Sequence, residues 1–248
     1  MADNRKERER DELHRTIRGI ANDLRGSVDG WDFKQYVLGM LFYRYISENF
    51  ANYINDGERE AGDATFDYAQ LSDSDAEQAR DDLIKTKGFF ILPSQLFCSV
   101  RSRAPLDENL NETLEAVFQA IEGSAKGSDS EANFSGLFDD IDVNSNKLGG
   151  TVAERNKRLV KLMNGVGDMK LGGDNTIDAF GDAYEYLMGM YASNAGKSGG
   201  EYFTLQEVSE LLTRIAVAGT TEVNKVYEII IQTLIQGVGK IKMCTVAV

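Results

Sequence analysis

Residues 33–54 constrain the fold of this chain more than any other stretch. Phe33, Val37, Leu41 and Tyr45 recur at helical spacing and lead on to Phe50 and Ile54, while Leu38, Phe42 and Ile46 widen the apolar stripe. Apolar residues at this period describe a helix face that has to be buried, and a stripe this wide asks for several packing partners. The reading is one helix through the centre of a helical core, opened by Asp32 as its N-cap.

The partners can be read along the chain. Leu13, Ile17, Ala21 and Leu24 give an amphipathic helix, with a charged, frayed segment at 1–10 before it and a break at 26–30 after it. Residues 55–64 read as a polar loop. Ser74-x-x-Glu77 has the form of a capping box, opening a helix that ends near Gly88. Residues 89–93 are extended, because the residue before Pro93 avoids the helical region. A helix spans 109–122, with Leu110, Leu114, Val117, Phe118 and Ile121 on one face. A Gly/Ser/Lys/Asp linker follows at 123–131, then irregular turns at 134–148. Thr151-x-x-Glu154 is a second capping box, starting a helix through Leu159 and Leu162, and 165–174 is loop. Another helix covers 178–192, then a loop at 193–200. Thr204-x-x-Glu207 opens a further helix, and 223–231 reads as a strand.

A chain of 248 residues, 42% of them hydrophobic, fits one large domain or two small ones. Its net charge of -13 argues against an autonomous DNA reader, because phosphate neutralisation needs an excess of cations. The acidic runs at 56–82 and 107–142 read as solvated faces and loops. Cations gather instead near the N-terminus, where Arg5, Lys6, Arg8, Arg10, Arg15, Arg18 and Arg25 stand among nearly as many acids. Cys98 and Cys244 have no metal or redox spacing, so a reducing, cytoplasmic setting is expected. The charged N-terminus is no signal peptide, and the most apolar run, 229–235, is too short to span a membrane.

The stretch with most chemistry is Ser198-Gly199-Gly200-Glu201-Tyr202-Phe203-Thr204, followed by Leu205-Gln206-Glu207-Val208. Consecutive glycines let backbone approach a ligand, and a helix N-terminus offers free N–H groups to a carboxylate. Tyr202 and Phe203 can stack on a purine, and Glu201 can accept hydrogen bonds from a ribose or an amine. The same residues also fit an ordinary loop before a capped helix. His14, the single histidine, sits on the arginine-rich helix and is expected to face solvent without a partner for metal or triad chemistry. Asp139, Asp140 and Asp142 read as turn residues in preference to a cation site. No catalytic residue and no metal site are assigned.

Several stretches together resemble one family. Gly200-Glu201-Tyr202-Phe203-Thr204 is similar to the Gly-Glu/Gln-aromatic-aromatic-Thr-Pro motif of N6-adenine DNA methyltransferases, with Leu205 in place of the proline. The run from Trp31 through Ile46, the segment from Phe138 to Ser145 and the segment from Phe180 to Leu187 resemble methylation subunits of type I restriction–modification systems. The resemblance covers about residues 10–227. It implies a mainly α protein: an N-terminal helical bundle domain at 1–170, then the truncated start of an α/β S-adenosylmethionine-dependent methyltransferase domain at 171–248.

The resemblance further implies that Glu201, Tyr202, Phe203, Thr204, Leu205 and Gln206 help to line an S-adenosylmethionine pocket. It implies adenine-N6 methylation of double-stranded DNA in a complex with a specificity subunit and, for cleavage, a restriction subunit. Arg5, Lys6, Arg8, Arg10, Arg15, Arg18 and Lys34 are then candidate phosphate contacts. Two departures stand out. After Tyr227 the family strand should run into Asp-Pro-x-x-Gly-x-Gly, but Glu228-Ile229-Ile230-Ile231-Gln232-Thr233 follows. The only prolines are Pro93 and Pro105, so the Asn/Asp-Pro-Pro-Tyr/Phe turn that holds the target base is missing. A frameshift or truncation after Tyr227, an atypical tail at 228–248 and a chain inactive on its own are therefore expected. Exposed sheet edges would then favour a homodimer. The competing readings are a non-catalytic helical interaction module and an acidic DNA mimic.

Overall fold

α2, spanning Gly30–Glu60, is the axis of the described helical unit. The structure is a computed structural model that describes residues 2–24, 30–170 and 179–192. All of these lie in one unit of the chain, which ends at Phe203. Phe33, Val37, Met40, Leu41, Tyr43 and Phe50 of α2 are buried, and so are Lys34, Arg44, Ser47 and Asn55. Burial on this many sides confirms the central position that the wide apolar stripe implies. Tyr45 is the exception: it is 44% exposed, because helical rotation carries it past the edge of the stripe.

Around α2 lie α1 (Ala2–Leu24), α3 (Asp73–Ala76), α4 (Arg80–Lys87), α5 (Phe97–Arg103), α6 (Leu110–Ser124), α7 (Glu131–Phe134), α8 (Val152–Gly167) and α9 (Ala179–Ala192). No strand occurs among the described residues. α1 packs on α8 and α9, and α2 packs on α5, α8 and α9. α9, which the sequence boundary at 170 places in the second segment, thus packs on the two N-terminal helices.

Several local expectations shift. α1 is helical from Ala2 where fraying was expected, as its Glu/Arg/Lys-rich start favours helix. α2 begins at Gly30, so Asp32 lies inside its first turn and is not the N-cap. α2 also runs on through 55–60, supported by the Arg59–Asp56 ion pair at 2.9 Å. The cap after the 61–71 connection is Ser72, whose hydroxyl accepts from the Asp75 N–H, and not Ser74. Gly88 does close α4, in the left-handed conformation. The linker at 123–131 is tied down: Ser124 Oγ accepts from Phe90 N at 2.8 Å, and Ser128 Oγ donates to Gly88 O at 2.9 Å. α5 went unread in the sequence because it has only seven residues between two short 3₁₀ turns.

The expected capping box of α8 is present, with Thr151 Oγ1 accepting from Glu154 N and Glu154 accepting from Thr151 N. The far end of α8 is held by two arginines. Arg44 Nη1 donates to Val166 O and Met169 O, both at 2.7 Å, and Arg101 reaches Asn164 and Asp168. Val166 O is one of the carbonyls a helix end leaves without an intrahelical partner, Met169 O lies just beyond the helix, and the cations also oppose the negative end of the helix dipole. Gly165 brings α8 close to α1, since a Cβ at this position would run into the side chain of Ile20.

Candidate functional site

The functional readings meet at the seam between α1 and α9. On α1, Leu13, Ile17 and Ile20 face the core at i, i+4 and i+7. His14 and Arg18, one turn apart, and Arg10, one turn before, project along the edge of this face. On α9, Ala183 and Leu187 are buried and Asp182 and Tyr186, again one turn apart, lie beside them.

The two edges meet residue by residue. Arg10 Nε pairs with Asp182 Oδ1 at 3.1 Å. The His14 ring stacks on Tyr186, with centroids 3.8 Å apart and planes 14° from parallel. Arg18 lies over the same tyrosine, 5.7 Å from its centroid. Lys170, just after α8, pairs with Glu12 at 2.9 Å. His14 is therefore half-buried against an aromatic ring and does not face solvent as expected. Burial holds its pKa below the usual histidine value; Asp182 and Asp11 pull upward, and Arg18 and Arg10 add to the lowering.

The candidate phosphate contacts separate into groups. Arg8, Arg15 and Arg18 are exposed, and Arg10 is drawn into its pair with Asp182. Arg5 and Lys6 belong to α1, but their side chains lie outside the described part. Lys34 differs from the others: it lies within α2 and is only 6% exposed. The cofactor-loop residues Glu201, Tyr202, Phe203, Thr204, Leu205 and Gln206 lie outside the described residues, as do the loop at 193–200 and the strand at 223–231. Only residues 193–200 separate the end of α9 from Glu201 in the sequence.

The acidic turn behaves as turn chemistry predicts. Asp142 Oδ1 accepts from Asn144 N at 3.0 Å, while its carbonyl accepts from Tyr36 OH at 2.8 Å. Among the described residues no group of three or more His, Cys, Asp or Glu could hold a metal ion. Cys98 is exposed and free. No described helix is long and apolar enough to cross a membrane. Sequence reasoning named the segment that carries Asp182 and Tyr186 without giving either a role; their i, i+4 spacing opposite Arg10 and His14 was the signal.

Comparison with known proteins adds a consistent pattern. Residues 13–166 match the family model of the HsdM N-terminal domain, and residues 175–233 match that of the N-6 DNA methylases. The chain is 46% identical over 229 residues to the MpnII type I restriction enzyme methylase subunit of Mycoplasma pneumoniae, covering 89% of this chain and 42% of that protein. Against the MjaIX type I methylase subunit of Methanocaldococcus jannaschii it is 21% identical over 202 residues, 79% of this chain and 34% of that protein. The fold matches the crystal structure of the type I restriction–modification methyltransferase subunit from Streptococcus thermophilus with a TM-score of 0.69 and 29% identity, covering 85% of this chain and 44% of that one. The chain thus spans less than half the length of the relatives it matches.

Proposed function

The chain belongs to the type I restriction–modification methylation subunits, through their HsdM N-terminal domain, and on that premise we propose that it serves adenine-N6 methylation of duplex DNA within a complex with a specificity subunit. The observation that supports this reading is the order of the two family matches, 13–166 and then 175–233, with α9 falling in the second and packing on α1 and α2 of the first. A helical domain is thereby joined to the approach to a methyltransferase segment through a packed helix.

In this reading S-adenosylmethionine supplies the methyl group, and Glu201, Tyr202, Phe203, Thr204, Leu205 and Gln206 contribute to its pocket. Arg8, Arg15 and Arg18 remain as phosphate contacts of the helical domain, while Lys34 is excluded by its burial. A net charge of -13 accords with sequence recognition delegated to another subunit, and a restriction subunit joins when the complex cleaves. With prolines only at 93 and 105, the 248-residue chain carries no Asn/Asp-Pro-Pro turn to hold a flipped adenine and by itself transfers no methyl group.

Co-expression with a type I specificity subunit tests the proposal. The expected result is a stable complex and uptake of S-adenosylmethionine, with no transfer of labelled methyl to DNA by the chain alone. Failure to associate with the specificity subunit would sink the reading. Association without any cofactor uptake would favour the non-catalytic interaction module.

A further inference from the structure

The acidic chain carries one stretch of cations that the sequence reading passed over. α8 contains Arg155, Lys157, Arg158 and Lys161 and a single acid, Glu154. Its core face is Asn156, Leu159, Leu162, Met163 and Val166. The opposite, outward stripe is Glu154, Lys157, Lys161, Asn164 and Asp168 at helical spacing.

Both carboxylates of that stripe are already engaged. Glu154 Oε2 accepts from Gly150 N at 2.9 Å and from Thr151 N at 3.4 Å, and Asp168 pairs with Arg101 at 2.5 Å. Between them Lys157 and Lys161 are exposed, about 6 Å apart along the axis, and neither pairs with a described carboxylate. Arg155 and Arg158 bend back over the start of the helix and donate only to neutral acceptors. Arg155 Nη1 reaches Gly149 O at 3.1 Å, Arg158 Nη1 reaches Leu148 O, and Arg155 Nε is buried with no acceptor. None of these four positive charges is neutralised by a described carboxylate, and the two arginines are also held in place. α1 is the reverse case: its cations alternate with acids, and Arg10 is paired with Asp182 at the α9 seam.

We propose that the outward stripe of α8, centred on Lys157 and Lys161 and flanked by Arg155 and Arg158, is a docking surface for the phosphate backbone of duplex DNA. It rests on the DNA-methylation reading and adds to it a second surface, distinct from α1. Such a surface contributes sequence-independent affinity with a steep dependence on salt.

The test is fluorescence anisotropy of a short labelled duplex with the full 248-residue chain, repeated over a series of low salt concentrations. The variants are Lys157→Gln/Lys161→Gln and, for comparison, Arg15→Gln. All three side chains are exposed, so the fold is retained, and circular dichroism checks this. The expected result is that the double α8 variant lowers the slope of log affinity against log salt by about 2, one unit per lost phosphate contact. A double variant with the wild-type slope overturns the proposal while leaving the DNA reading intact, and a loss confined to Arg15→Gln would then place the contact on α1. A wild-type chain that binds no duplex at any salt overturns the DNA reading and this surface with it.

Discussion

His14 of α1 lies flat against Tyr186 of α9, 3.8 Å between ring centroids, and this stack joins the N-terminal helix to the helix that leads toward residues 201–206. The Arg10–Asp182 pair extends the contact by one turn. An aromatic stack of this kind contributes about 0.5–1.5 kcal/mol beyond burial, and a partly exposed ion pair less than about 1 kcal/mol. Tyr186→Leu is therefore expected to loosen α9 without unfolding the core around α2. Amide exchange in 179–192 should quicken several-fold, with exchange in α6 unchanged. Equal protection of α9 in variant and wild type would show that the seam contributes nothing.

The same stack should respond to pH. Burial lowers the His14 pKa from 6.5, with Asp182 and Asp11 opposing and Arg18 and Arg10 assisting. Between the lowered folded value and 6.5 the unfolded chain binds more protons than the folded one. Stability is thus full above pH 6.5 and falls as pH drops through that window. Thermal melts at a series of pH values check the sign. His14→Phe keeps a flat ring on Tyr186 and cannot titrate, so its melting temperature should lose this part of the pH dependence. A wild type that gains stability on acidification through the window would contradict the assignment.

Arg44 is a buried cation whose removal should be costly. It donates to Val166 O and Met169 O at 2.7 Å and pairs with Glu48 at 2.6 Å. Arg44→Met keeps much of the packing but removes a charged donor from both carbonyls, leaving Val166 O its bond from Met169 N, at a cost of about 2–4 kcal/mol. Glu48→Gln, by contrast, alters an acid that is 44% exposed and should cost less than about 1 kcal/mol. Urea denaturation of the two variants measures the difference, and similar midpoints would show that capping of α8 is not what Arg44 does.

The helices with a regular apolar period were legible in the sequence. Leu110, Leu114, Val117, Phe118 and Ile121 were named as one face, and all are buried. Thr151 and Glu154 were named as a capping box, and they form one. The misreadings have local causes. Residues 55–60 are polar and contain Gly57, which suggests a loop, yet a helix already held by its core residues continues through them. Lys34 looked like a surface cation because its charge says nothing of which way α2 turns. The α1–α9 seam was illegible for a different reason: Arg10 and Asp182 are 172 residues apart, and only the tertiary fold brings them together.

Two glycines of the same region should answer to alanine with opposite signs. Gly57 lies within α2 with nothing within 4 Å of where a Cβ would stand. Alanine there removes conformational freedom from the unfolded chain and meets no obstacle, so Gly57→Ala should stabilise by about 0.4–1 kcal/mol. Gly88 closes α4 at φ +81°, and a Cβ there would strike the Ser130 side chain. Its carbonyl also accepts from Ser128 Oγ at 2.9 Å, so the backbone cannot readily turn away. The left-handed conformation alone costs a non-glycine residue about 1–2 kcal/mol, and the contact adds to it. Gly88→Ala should therefore lower the urea midpoint while Gly57→Ala raises it. A shift in the same direction for both would mean that α2 ends before Gly57 in solution or that Gly88 does not hold the left-handed turn, and amide exchange at residues 55–60 separates those two explanations.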